Sequence, residues 1–110
     1  MNIQIYGKKK CFDTKKAERW FKERRVKYQF IDLERFGMGR RELETVRAAV
    51  GTDALIDERD SDAALLRYLA SDAARLDKLF EEPWRIRTPI VRNGRRATVG
   101  YEPEVWKTWE

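Results

Sequence analysis

Cys11 is the only cysteine of the chain, and the chain has no histidine. Together these facts narrow the available chemistry. A lone thiol without an imidazole belongs to no Cys–His or Ser–His nucleophile pair and closes no internal disulfide, and it argues against a metal site. What remains is a thiolate nucleophile that works alone. Lys8, Lys9 and Lys10 precede it directly, and Lys15 and Lys16 follow close behind. Cations of this kind favour ionised sulfur, lowering a thiol from about 8.5 to roughly 3.5–7.5. Asp13 opposes the effect. Without such activation a lone cysteine is most often a small buried hydrophobe.

The elements around Cys11 decide between these outcomes. Met1, Ile3 and Ile5 alternate with Asn2, Gln4 and Tyr6 as in a strand, which Gly7 ends. Asp13 and Thr14 suit the start of a helix, and Ala17, Trp20 and Phe21 follow at helical spacing, so a helix is predicted from about Asp13 to Arg25. Cys11 therefore stands where the free N–H groups and the positive end of that helix meet an anion. Val26 to Leu33 reads as a second strand, parallel to the first by its helical crossover. Leu43, Val46 and Val50 mark a helix over 40–50 that Gly51 stops. Two further helices are expected after Ser61-Asp62 and Ser71-Asp72, each pair an N-cap candidate. The Asn93-Gly94 pair predicts a hairpin between strands at 88–92 and 95–101, and Glu102 to Glu110 a last helix.

In order, these elements are βαβ, a helical block, then ββα. That is the plan of the thioredoxin-like (glutaredoxin-like) α/β fold, with four strands in one mixed sheet. With no linker or low-complexity tract, residues 1–110 are expected to form one domain carrying a helical insertion at about 40–82. In such a fold Thr88-Pro89, just before the third strand, faces the cysteine loop. A cis bond there would expose backbone groups to a thiol-bearing substrate, although an X–Pro bond at a strand start is ordinarily trans.

Composition adds bounds. Lys and Arg number 24 against 19 Asp and Glu, a net charge of +5 that favours acidic partners or anionic substrates. Carboxylates lie among the basic residues and the aromatic residues fall mostly at core-periodic positions, so direct nucleic-acid binding is not expected. No run approaches the ~18 apolar residues of a membrane span, and the N-terminus lacks the pattern of a signal peptide. A reducing, cytoplasmic setting is the expectation.

The series Ile5-Tyr6-Gly7, Cys11, Asp13, Thr14, Lys15-Lys16-Ala17, Trp20 and Tyr28-Gln29-Phe30 resembles the ArsC-like/Spx family, the arsenate reductase family. The similarity continues through Gly51 to Asp57, Glu82-Pro83, Ile86, Pro89-Ile90-Val91 and Val99-Gly100-Tyr101. The resemblance implies thiol-based reduction with Cys11 as nucleophile, Lys15 as the basic residue beside it, and glutathione or glutaredoxin resolving the adduct. Glutathione would be a co-substrate; no bound cofactor is implied. The arginines that hold the oxyanion in arsenate reductases are replaced here by Asp57, Thr88 and Gly100, which removes the bidentate clamps and speaks against arsenate. Arg59 and Arg87 stand one or two positions away and, with Lys10, Thr88 and Pro89, make up the expected substrate-binding set for a small thiol or oxyanion. Spx-like members carry a C-x-x-C switch. Thr14 occupies its second position here, so turnover would be monothiol, with Thr14 capping the helix or hydrogen-bonding the thiolate. Glutaredoxin or thioredoxin would be the protein partner. The alternative is a non-enzymatic, Spx-like regulator that binds RNA polymerase.

Overall fold

The computed structural model describes residues 1–69 and 71–109. Its strands are β1 (Ile3–Gly7), β2 (Tyr28–Asp32), β3 (Ile90–Asn93) and β4 (Arg96–Val99). The helices are α1 (Phe12–Glu23), α2 (Leu33–Phe36), α3 (Arg40–Val50), α4 (Ala63–Arg67), α5 (Asp72–Glu81) and α6 (Pro103–Trp106), with short 3-10 turns at Asp53–Leu55 and Pro83–Arg85. One four-stranded sheet runs in the order β2-β1-β3-β4. β1 pairs parallel to β2 and antiparallel to β3, and β3 pairs antiparallel to β4, the mixed sheet that the βαβ and ββα halves predict. Among the described residues no helix is long and apolar enough to cross a membrane.

Alternation along β1 distributes its side chains to two cores. Ile3 and Ile5 join Ala17, Trp20 and Phe21 of α1 and Trp106 and Trp109 beyond β4. Tyr6, on the opposite face, joins Leu43, Val46, Leu76 and Leu79 of the helical segment. β3 divides likewise, Ile90 to the second core and Val91 to the first. Burial of both faces of the two central strands holds β1 in place, and the start of α1 follows directly from its end.

Several boundaries differ from expectation for local reasons. α1 stops at Glu23 because Arg25 takes a left-handed φ of 57°, and Val26 N–H reaches back to Phe21 O at 3.0 Å in a Schellman-type close. β2 is shorter than 26–33, because the Asp32 carboxylate accepts from Glu34 N–H (3.1 Å) and opens α2 at Leu33. Ser71 caps α5 as predicted, accepting from Ala74 N–H at 3.0 Å. Asp62 precedes α4 but caps nothing; its carboxylate is held by Arg85 at 2.9 Å. The hairpin turns on Gly94-Arg95, with Asn93 already paired to Arg96 and Gly94 at φ 64°, a pattern with glycine at the first central position. α6 ends at Trp106, where Thr108 Oγ1 donates to Val105 O (2.6 Å); Trp109 is nonetheless buried, and Glu110 lies outside the described residues.

Candidate functional site

Lys8 to Cys11 forms a tight turn in which Cys11 N–H donates to Lys8 O at 3.1 Å. Cys11 is itself the N-cap of α1, extended in backbone, with its carbonyl accepting the first helical bond from Lys15 N–H (3.3 Å) and its side chain making no cap bond. The helix thus begins one residue earlier than Asp13, and the sulfur stays partly exposed at its mouth. As a thiol it donates to Thr88 O at 3.5 Å.

As a thiolate it meets a different set of groups. Burial pushes the Cys11 thiol up, but hydrogen bonds from the Thr14 and Thr88 side chains and the N–H groups of Thr14 and Asp13 outweigh burial and leave it below an ordinary cysteine. The two N–H groups are the free donors of the first helical turn, so the helix terminus acts here through directed bonds. Thr14 is the third helical residue, inside α1 rather than at its cap. Its Oγ1 is buried and makes no other hydrogen bond. Gly7 makes room for it: a Cβ there would overlap Thr14 Cγ2 and sit 2.9 Å from Oγ1. Thr14→Val keeps the shape and removes the donor, so the Cys11 pKa is expected to rise toward that of a free thiol. The pH dependence of iodoacetamide alkylation measures it; an unchanged midpoint would show that the hydroxyl contributes nothing.

The sulfur opens on a cavity of about 520 Å³. Lys10, Cys11, Arg59, Arg87 and Thr88 all line it, as the sequence suggested. Pro89 does not; it is buried behind Thr88, to which it is joined by a cis bond. Lys15 does not line it either; it is exposed on α1 one turn beyond Cys11 and is not among the groups that lower the thiol.

The cavity wall also holds carboxylates that sequence reasoning left unassigned: Glu34, Asp53 and Glu58 join Asp13 and Asp57. Asp57 takes Lys8 Nζ at 3.1 Å, and Lys8 donates as well to Trp84 O at 2.8 Å, so this lysine serves the wall rather than the sulfur. A two-bond bridge centred on Ile56 and Ile86 fixes that wall, Asp57 N–H to Arg85 O at 2.9 Å and Arg87 N–H to Leu55 O at 2.8 Å. Arg85 holds the rest of the loop through Asp60 (2.6 Å) and Asp62 (2.9 Å). The Arg87 guanidinium lies over Gly100, where a Cβ would stand 3.0 Å from its Nη2.

The sequence profile of the ArsC family matches residues 6–109. The chain belongs to the ArsC family. A curated relative, the global transcriptional regulator Spx 2 of Oceanobacillus iheyensis, is 34% identical over 110 residues, an alignment covering 94% of this chain and 80% of that protein. Among solved structures, an ArsC family related protein from Bacteroides fragilis superposes with a TM-score of 0.85 at 17% identity, covering 100% of each chain. An arsenate reductase from Vibrio cholerae gives 0.82 at 22% identity, covering 96% of this chain and 94% of that one. At these identities the likeness establishes the fold, the ArsC-type thioredoxin-like arrangement. Within this ArsC-family chain, the position of the thiol at the start of α1 was legible from Cys11 alone. The acidic wall was not, because Asp57 and Lys8 lie 49 positions apart and meet only through the fold.

Proposed function

We propose that this ArsC-family chain is a monothiol oxidoreductase in which the Cys11 thiolate attacks a sulfur-bearing or oxyanion substrate and an external thiol such as glutathione resolves the adduct. The observation that supports it is a partly open sulfur at the N-cap of α1, with donors placed on its ionised form. Thr88 and Arg87 form one rim of the substrate cavity, and Lys10 and Arg59 others. Arsenate is disfavoured as substrate: with Asp57, Thr88 and Gly100 where the clamping arginines would stand, the bidentate contacts that hold such an oxyanion are missing. Incubation with oxidised glutathione is expected to give a glutathionyl adduct at Cys11 by intact-mass spectrometry, released by reduced glutathione. Failure to form it while a control peptide thiol reacts would sink the reading.

A second reading rests on the 34% identity to a transcriptional regulator. In it the chain binds RNA polymerase and turns nothing over. A pull-down with RNA polymerase from the native host separates the two, since no retention at low salt ends the regulator reading.

A further inference from the structure

The cations of α3, α4 and α5 are largely paired: Arg40 with Glu44, Arg47 and Arg75 with Asp72, Arg67 with Glu58 and Lys78 with Glu82. α1 is different. Lys15, Arg19 and Lys22 are exposed at i, i+4 and i+7, and among the described residues none of them makes an ion pair. Of the carboxylates of the helix, Glu18 accepts from Tyr28 OH at 3.1 Å, Asp13 pairs with Lys16 at 4.0 Å, and Glu23 is exposed at the far end. Helical periodicity puts these three cations in line with Cys11, whose carbonyl already bonds Lys15 N–H. At 1.5 Å per residue the row runs about 16 Å from the cysteine to Lys22. Phe12 stands at its head, 77% exposed and lining the thiol cavity.

We propose that this row is a docking strip for an acidic polypeptide segment that delivers its disulfide sulfur to Cys11. The inference rests on the thiol reading above and names its partner class. Unpaired cations in line attract carboxylates spaced along an extended or helical segment, and the strip leads them to the sulfur, where Phe12 offers an apolar contact. A nucleic acid would find the same charges but bring no sulfur to the thiolate. The step is a thiol–disulfide exchange. Cys11 sulfur attacks one sulfur of the partner's disulfide, a new S–S bond forms as the old one breaks, and the displaced thiolate takes a proton from water. Cys11 is oxidised and the leaving sulfur reduced; a second thiol of the same class then releases Cys11.

The test uses two synthetic peptides carrying the same cysteine as a mixed disulfide with 2-mercaptoethanol, flanked by Asp and Glu in one and by Lys and Arg in the other. The acidic peptide is expected to exchange with Cys11 at least about tenfold faster at low salt, an advantage lost in high salt. In Arg19→Glu/Lys22→Glu the advantage is expected to disappear while alkylation by neutral iodoacetamide keeps its wild-type rate, which also reports an intact fold. Equal rates for the two peptides, or a preference that survives the double substitution, overturn the docking strip and leave the thiol reading standing. No exchange with either peptide overturns the thiol reading and the strip with it. An equimolar oligonucleotide that abolishes the preference assigns the row to nucleic acid and likewise overturns the proposal.

Discussion

Trp106→Ala is expected to lower the free energy of unfolding by roughly 3–5 kcal/mol, against a total of about 5–15 kcal/mol for a domain of ordinary stability. Trp106 is 2% exposed and meets Trp20, Phe21 and Tyr101 at ring-centroid distances of 5.4, 5.1 and 5.6 Å. Its Nε1–H donates to Thr98 Oγ1 at 2.8 Å, so truncation removes the packing and also leaves a buried hydroxyl without its partner. Trp106→Phe keeps most of the volume and loses the hydrogen bond, and should cost clearly less. Urea unfolding followed by circular dichroism measures both. A loss under about 1 kcal/mol for the alanine variant would place this cluster outside the cooperative core.

Exchange of Cys11 with oxidised glutathione is expected to fall about tenfold for each pH unit below the thiolate midpoint, and that midpoint to lie below that of a free thiol. The sign follows from the neighbours. Burial opposes ionisation, and the Thr14 and Thr88 side chains with the N–H groups of Thr14 and Asp13 overcome it. Cys11→Ser removes exchange altogether, because no S–S bond can form. The same ionisation appears in stability. A group lowered on folding contributes above the unfolded thiol's pKa and loses that contribution as pH falls through the folded value. The stability difference between wild type and Cys11→Ser should therefore shift with pH in that window. A rate midpoint at or above that of free cysteine would remove the thiolate from the mechanism.

The sequence carried the parts of this site that depend on neighbours along the chain. Cys11 before an apolar-periodic run placed a thiol at a helix start, and Asn93-Gly94 placed the hairpin, although the turn slid one residue to Gly94-Arg95. The limits of α3 at Arg40–Val50 followed from its apolar spacing and Gly51. Groups joined across the fold were not legible. Lys8 looked like a cation for the sulfur until Asp57 and the Trp84 carbonyl took it. Lys15 looked close in sequence, but it stands exposed one turn along α1, outside the cavity lining. Asp62 looked like a cap until Arg85 claimed its carboxylate. For Lys8 and Asp62 a long-range partner of opposite charge overrode a sound local rule.

The bridge between Ile56 and Ile86 attaches the acidic wall to the chain just ahead of β3 through backbone groups alone. Side chains at 53, 58 and 59 touch none of the groups that ionise the sulfur, whereas Asp57 reaches the cysteine turn through Lys8. What ionises the sulfur comes from the start of α1 and from Thr88, and most of the cavity's acidic side chains from 53–58, so descendants of a common ancestor can change what the thiol encounters while keeping the thiol itself.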